Sequence, residues 1–227
     1  MPLVLYIHPL ASFCHKVLIA LYENGTPFES RTVDFADPGS AAAHLARWPV
    51  GKIPVLHDGA TGRTVPETSI IIEYLQARHP GPVRLLPDDP ERLLEVRLWD
   101  RFFDLYVSAP MQKIVTDRIR PAGAADPHGV AEARATLETA YAMIEAQMQD
   151  RDWAAGDAFT MADCAAAPAL FFAAIVQPFA ADQRRLADYL ERLLRRPSFA
   201  RVIDEARPFF AMFPYRDAMP ARFLPTP

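Results

Sequence analysis

A proline-rich segment divides the chain into two parts with different hydrophobic patterns. Residues 78–92, RHPGPVRLLPDDPER, contain four prolines and one glycine. Proline interrupts both helices and sheets, so such a segment is typical of a linker between domains. We therefore expect a first domain over residues 1–80, a linker over 81–90 and a second domain over 91–227.

The first part alternates between strand and helix patterns. LVLYI at 3–7 is typical of a buried strand, helical spacing follows from Phe13 to Asn24, and residues 28–35 alternate as a second strand. After a linking segment, IPVLHD and TVPE predict two more short strands before a helix that starts near Thr68. This order of elements predicts a four-stranded mixed sheet with helices packed on it.

The second part contains only helical patterns, without convincing strand alternation, so we expect an all-α domain. One helix start is marked clearly. Thr160-Met161-Ala162-Asp163 fits a capping box, in which the threonine caps the helix and the acid three residues later reaches back. Because this motif stabilises a helix, we expect its role to be in folding and not in chemistry.

Composition and charge argue against several classes of partner. The formal net charge of −4 offers no broad cationic surface for nucleic acid. The longest apolar run, at 164–176, contains a proline and is shorter than the roughly 18 residues that a membrane-spanning helix needs. Two cysteines far apart in the sequence suggest neither a disulfide framework nor a metal site. We expect a cytoplasmic protein that binds no nucleic acid, membrane or metal.

The start of the first helix carries two possible nucleophiles, Ser12 and Cys14. In thioredoxin-like redox enzymes, the first cysteine of a C-x-x-C motif attacks, because the helix N-terminus lowers its pKa. The residue in that position here is Ala11. We therefore expect Cys14 to be a buried packing residue, which leaves Ser12 as a hydroxyl donor, a helix cap or both.

Four stretches, in this order, resemble the cytosolic glutathione transferases. They are SFCHKVLIALYENGTPFE at 12–29, GKIPVL at 51–56, PETSIIIEYL at 66–75 and WAAGDAFTMADCAAAPAL at 153–170. The resemblance covers nearly the whole chain, and the first-helix motif is similar to bacterial, serine-type members of the zeta or theta kind. It implies an α/β thioredoxin-like N-terminal domain plus an all-α C-terminal domain, with glutathione as co-substrate and a homodimer as the assembly.

The resemblance also implies a glutathione site on the first domain. Pro54 would follow a cis peptide bond, and the backbone of Ile53 would pair with the cysteine of glutathione as an added strand would. The Thr68 hydroxyl and the helix N-terminus would receive the γ-glutamyl carboxylate, while Glu67 would accept from the ammonium group. The alternative role of Thr68 is an ordinary helix N-cap, which is compatible with ligand binding. Lys52 would contact a glutathione carboxylate or simply be exposed to solvent.

The catalytic hydroxyl departs from the family pattern. Many serine-type members carry it at the position that is Ala11 here, and Ser12 follows one residue later. Ser12 is the nearest hydroxyl, so we expect it to stabilise the glutathione thiolate together with nearby backbone N–H groups. Its alternative role is the N-cap of the helix.

A second, apolar substrate should bind between the domains. We expect Phe102, Tyr106 and Met111 to form the wall of this electrophile pocket. In the family's homodimers an acidic residue can reach the glutathione ammonium of a neighbouring subunit, and Asp100 or Asp104 is the candidate here.

The sequence thus predicts a glutathione transferase that activates the thiol for attack on a small hydrophobic electrophile. Two other functions remain open, because a fold hosts many activities. One is a glutathione-binding ligand carrier with little turnover, in which Ala11 marks a lost hydroxyl. The other is a glutathione-dependent isomerase or dehalogenase.

Overall fold

The first part of the chain forms a mixed sheet with three helices in the computed structural model, which describes residues 2–224. The elements are β1 (Leu3–Ile7), α1 (Ser12–Glu23), β2 (Phe28–Thr32), α2 (Pro38–Arg47), β3 (Val55–Asp58), β4 (Arg63–Pro66) and α3 (Thr68–Arg78). The four strands lie in the order β2-β1-β3-β4. Strand β1 is parallel to β2 and antiparallel to β3, which is antiparallel to β4. The predicted thioredoxin-like sheet is confirmed.

Helix α2 lies where the sequence suggested only a linking segment. Asp37 caps it, since its carboxylate accepts from the backbone N–H groups of Gly39 and Ser40, and Pro38 occupies its first turn. The helix buries only His44. A helix with one buried residue has no apolar stripe, which is why hydrophobic spacing did not predict it.

Strand β1 is central and is buried along its whole length. Leu3, Leu5 and Ile7 pack on one face of the sheet against the main core, to which α1 also contributes. Val4 and Tyr6 pack on the opposite face in a smaller cluster. Because alternate residues of a strand point to opposite faces, a strand covered on both faces is apolar throughout.

The second part folds into helices, as predicted. They are α4 (Pro90–Phe102), α5 (Ala109–Asp117), α6 (Pro127–Gln147), α7 (Met161–Val176), α8 (Arg184–Leu194) and α9 (Pro197–Ala206). A π-helical turn over Phe103–Ser108 joins α4 to α5 without a break. Helix α7 is almost entirely buried and packs against α1 and α4, so it connects the two domains.

The predicted capping box is present at the start of α7. Asp163, which is fully buried, accepts from the backbone N–H of Thr160 at 2.8 Å and from that of Ala154 at 2.9 Å. The Tyr189 hydroxyl on α8 donates to the same carboxylate at 2.6 Å. One acid therefore joins the cap of α7, the preceding turn and a neighbouring helix.

The segment between α3 and α4 is held against the first domain. Gln76 accepts from the backbone N–H of Leu86 at 2.9 Å and donates to its carbonyl at 2.7 Å. The Asn24 side chain, after α1, accepts from the N–H of Val83 at 2.8 Å. These hydrogen bonds fix the direction in which the chain leaves the sheet domain.

We predict that Asp163→Asn lowers the free energy of unfolding by about 2–3 kcal/mol, because the amide group would face donors that it cannot satisfy. Urea denaturation measures the change. Asp157→Asn is the matched control, since Asp157 is exposed in the same loop and should change stability by less than about 0.5 kcal/mol. Equal effects for the two variants would contradict the role of the buried carboxylate.

Candidate functional site

A cleft of about 570 Å³ lies between the two domains. Its sheet-domain wall comes from the start of α1, the loop before β3 and the start of α3, and its helical wall from α4 to α5. The main lining residues are Ala11, Phe13, Lys52, Ile53, Pro54, Glu67 and Thr68 on the first wall, and Arg101, Asp104, Leu105, Ala109 and Gln112 on the second. Five predicted glutathione-site residues thus lie in one cleft.

The loop before β3 brings a free peptide to the cleft. The Ile53–Pro54 bond is cis, as expected. Strand pairing begins only at Val55, and no hydrogen bond of residues 2–224 uses the backbone N–H or carbonyl of Ile53. This peptide can therefore pair with an extended ligand.

The start of α3 offers a second set of donors. Glu67 is the N-cap, with φ at 68°, and Thr68 is the first residue of the helix. A positive φ is costly for a residue other than glycine, and such strain is common at ligand sites. Within residues 2–224, the backbone N–H groups of Thr68, Ser69 and Ile70 donate to no acceptor. The alternative reading of Thr68 as a helix cap is wrong, because Glu67 holds that position.

The start of α1 is arranged in a similar way. Ala11 is its N-cap, so the alternative role of Ser12 as N-cap is also wrong. The backbone N–H groups of Ser12 and Phe13 donate to no acceptor in the part of the chain that the structure describes. The Ser12 hydroxyl is buried and accepts from Gln112 Nε2 at 3.4 Å. Ser12 itself does not line the cleft, whereas its neighbours Ala11 and Phe13 do. Its hydroxyl proton donates to no acceptor among residues 2–224.

Cys14 is buried inside the first turn of α1. Burial raises the pKa of its thiol to about 12, because a charged thiolate is poorly solvated there. A thiol that stays protonated at neutral pH is a weak nucleophile. The interpretation of Cys14 as a packing residue agrees with this environment.

The predicted wall of the electrophile pocket requires correction. Phe102 and Met111 are buried in the core, and Tyr106 packs against Phe102 outside the cleft. The helical residues that line the cleft are instead Arg101, Asp104, Leu105, Ala109 and Gln112. Arg101 and Leu105 each precede a predicted residue by one position, whereas Gln112 follows one. The π-helical turn over 103–108 interrupts regular helical spacing in this stretch.

A buried ion cluster lies behind the cleft. Lys16 on α1 is 1% exposed, and its ammonium lies 2.7 Å from Asp100 Oδ1 and 2.8 Å from Asp104 Oδ2. The Ser69 hydroxyl accepts from Lys16 at 3.1 Å and donates to Asp100 Oδ2 at 2.6 Å. Burial raises the pKa of Asp104, although Lys16 acts in the opposite direction. Arg101 lies 3.8 Å from Asp104.

This cluster overturns the expectation for Asp100 and Asp104. Both carboxylates are buried against Lys16 of their own chain, so they do not extend toward a neighbouring subunit. Sequence reasoning missed the cluster because Lys16 and Asp104 are 88 positions apart. The available signal was a lysine within the apolar stretch CHKVLIAL.

Residues 2–224 contain neither a metal-binding cluster nor a membrane-spanning helix. No group of three or more histidine, cysteine or acidic side chains is arranged to hold a metal ion. No helix in this range is long and apolar enough to cross a membrane.

A thioredoxin-like sheet with a cis-proline, facing a helical domain across a cleft, defines a class of two-domain thioredoxin-fold proteins. Residues 5–83 match the family model of the glutathione S-transferase N-terminal domain, and residues 107–197 match that of the C-terminal domain. With the relatives described next, these matches show that the chain belongs to the glutathione S-transferase family.

Relatives of known name and structure support this assignment. The glutathione S-transferase-like protein LUC7 of a Fusarium species is 30% identical over 79% of this chain and 81% of its own length. A glutathione S-transferase of Methylobacterium radiotolerans, crystallised with glutathione sulfonate, is 32% identical, with a TM-score of 0.76 over 89% of this chain and 94% of its own. A glutathione-bound transferase of Methylobacillus flagellatus is 25% identical, with a TM-score of 0.79 over 88% and 98%.

We predict that Lys16→Met lowers the free energy of unfolding by about 3–5 kcal/mol, because it leaves two buried carboxylates without their cation. Burial raises the pKa of Asp104 and Lys16 opposes this effect, so loss of Lys16 raises the pKa of that carboxyl further in the folded state. With a raised carboxyl pKa, the folded variant keeps a proton that the unfolded chain has already released. The loss of unfolding free energy relative to wild type should therefore grow from about pH 5 to about pH 8. Denaturant unfolding across this range measures it.

Lys113→Met is the matched control for this variant. Lys113 pairs with Asp126, and the two side chains are 30% and 40% exposed. A partly exposed pair contributes about 1 kcal/mol or less, so this control should change little. A Lys16→Met variant as stable as the control would contradict the structural role of the cluster.

Proposed function

We propose that the protein is a serine-type glutathione transferase, which binds glutathione in the interdomain cleft and lowers the pKa of its thiol. One observation carries the proposal: a single cleft contains the free Ile53 peptide and lies at the starts of α1 and α3, whose first N–H groups are free. The bound glutathione sulfonate and glutathione of the two structural relatives support the same ligand.

Glutathione would bind along the first wall of the cleft. Its cysteine pairs with the Ile53 backbone next to Pro54, and its γ-glutamyl carboxylate is received by the Thr68 hydroxyl and the N-terminus of α3. Glu67 accepts from the ammonium group, and Lys52 contacts the glycyl carboxylate. Recognition therefore relies mainly on backbone groups that the fold fixes in place.

The thiol would lie near the start of α1. Its thiolate accepts from the Ser12 hydroxyl and from the free N–H groups of Ser12 and Phe13, in a site partly removed from water. Lowering a thiol pKa from about 8.5 by roughly two units requires about 2.7 kcal/mol of preferential stabilisation of the thiolate. One hydroxyl and a helix N-terminus can supply this amount.

The electrophile would bind against the helical wall, where Leu105 and Ala109 supply apolar surface facing Phe13. The thiolate attacks an electrophilic carbon, and the leaving group departs with the bonding electrons. We infer a cytoplasmic detoxification enzyme for small hydrophobic electrophiles. A ligand carrier would bind glutathione without shifting its thiol pKa. An isomerase would return glutathione unchanged, and a dehalogenase would release halide.

We predict that glutathione bound to the wild-type protein has a thiol pKa about two units below the free value, measured by thiolate absorbance in the ultraviolet. Ser12→Ala should raise this pKa by about one unit and lower kcat/KM roughly tenfold, with little change in Kd for glutathione. Ser30→Ala, at an exposed site on β2, is the control. Tight binding with an unshifted pKa would exclude the transferase mechanism, and unchanged turnover in Ser12→Ala would remove Ser12 from it.

We also propose that the protein is a homodimer, as the family resemblance implies. Ile70 on α3 and Leu94 and Leu98 on α4 are exposed by 51%, 65% and 62%. The same two helices are joined by an ion pair between Glu73 and Arg97. A second copy of the chain would cover this apolar surface and match its charges.

We predict that the double variant Leu94→Glu and Leu98→Glu has the mass of one 25.4 kDa chain in analytical ultracentrifugation, whereas the wild type has twice that mass. Placing carboxylates in an apolar interface costs their desolvation, which opposes association. Ile119→Glu is the control, since Ile119 is equally exposed, at 65%, but lies after α5. A monomeric wild type would contradict the proposed assembly.

A further inference from the structure

We propose that His44 is a positioning residue, which aims the Ile53 N–H into the cleft so that it can bind the cysteinyl carbonyl of glutathione. The inference rests on the proposed function and assigns a role to a residue outside the cleft lining. His44 lies in α2, a helix that otherwise contributes no buried residue.

The imidazole of His44 is attached to the loop before β3. The side chain is fully buried, and its Nε2 lies 3.0 Å from the carbonyl oxygen of Lys52. A carbonyl oxygen can only accept, so Nε2 carries the proton and donates it. The tautomer is therefore fixed by this contact.

Because a peptide unit is planar, this contact also fixes the direction of the Ile53 N–H. The carbonyl of Lys52 and the N–H of Ile53 belong to the same peptide unit, and in residues 2–224 only the next bond, Ile53–Pro54, is cis. In a trans peptide the C=O and N–H point in opposite directions. Holding the Lys52 carbonyl toward α2 therefore turns the Ile53 N–H away from α2, and Ile53 lines the cleft.

Few other contacts hold this peptide. The preceding turn closes with a hydrogen bond from the Gly51 N–H to the Trp48 carbonyl at 2.9 Å. Pro54 has no N–H to donate, and the ladder with β1 begins at Val55. Between the turn and the strand, His44 makes the hydrogen bond that sets the orientation of the Lys52–Ile53 peptide.

The other nitrogen of the ring supports a specific role for histidine. Nδ1 of His44 is buried without a hydrogen-bond partner among the described residues, and Phe35 packs edge-on against the ring, 5.7 Å between centroids. An unsatisfied buried polar atom costs stability that an apolar side chain of similar size would not. The donated hydrogen bond to Lys52 is the compensating interaction.

His44→Phe tests the inference, because it keeps a ring and removes the donor. We expect the Kd for S-methylglutathione, measured by calorimetry, to rise about tenfold, and KM for glutathione to rise in parallel. The thiol pKa of bound glutathione should stay unchanged, and kcat at saturation should stay within about twofold of wild type, because the start of α1 is unchanged. His44→Gln, whose amide can donate at the position of Nε2, should restore most of the affinity.

Matched variants separate positioning from a loss of packing. His57→Phe is the control, since His57 contacts Thr64 on β4 at 3.3 Å and does not line the cleft. His44→Leu replaces the test variant if the larger ring prevents folding. The proposal is overturned if folded His44→Phe or His44→Leu binds like wild type, or if His44→Gln binds as weakly as they do. Failure of the wild type to bind glutathione would instead overturn the proposed function, and with it this inference.

Discussion

The arrangement of the cleft depends on one buried lysine. Lys16 comes from the second turn of α1. Its carboxylate partners come from the other domain, Asp100 from α4 and Asp104 from the π-helical turn that follows α4. Through Ser69 the same cluster reaches the first turn of α3. One ammonium group therefore fixes the starts of two helices relative to the opposite wall of the cleft. A buried charge is costly unless it is paired, so this geometry is strongly preferred over a loose contact between domains.

The sheet domain contributes mainly backbone groups, and few side chains, to the candidate binding site. Among residues 2–224, the backbone N–H and carbonyl of Ile53 and the first N–H groups of α1 and α3 have no hydrogen-bond partner. Ser12 is buried, and burial raises the pKa of the Cys14 thiol. Recognition by backbone groups depends on the fold and only weakly on the local residue type. The backbone part of the site is therefore present with alanine at position 11, the N-cap of α1.

Much of this organisation could be predicted from local sequence patterns. The strands around Leu5 and Val65 and the capping box at Thr160 each depend on a few neighbouring residues. The cis-proline was expected from the family resemblance instead. Helix α2 could not be predicted in this way, because His44 is its one buried residue. The electrophile wall was misplaced because Phe102 and Met111 are buried in the core, and an aromatic or apolar residue type does not reveal whether it faces the core or the cleft. The partners of Lys16 are distant in sequence, so only the folded chain brings them together.

The charge balance of the cluster constrains how a thiolate can be stabilised. Lys16 and Arg101 carry two positive charges, and Asp100 and Asp104 carry two negative charges when ionised, so the cluster is close to neutral. Lys16 lies one turn below Ser12 on α1, yet its charge is already neutralised by contacts of 2.7 and 2.8 Å. Little net positive potential remains for a ligand anion at the start of the helix. Stabilisation of a thiolate there must come from short-range donors, which are the Ser12 hydroxyl and the free N–H groups of the first turn. Such donors act only on an atom held within hydrogen-bond distance, so activation of the thiol would depend on how accurately the rest of glutathione is docked.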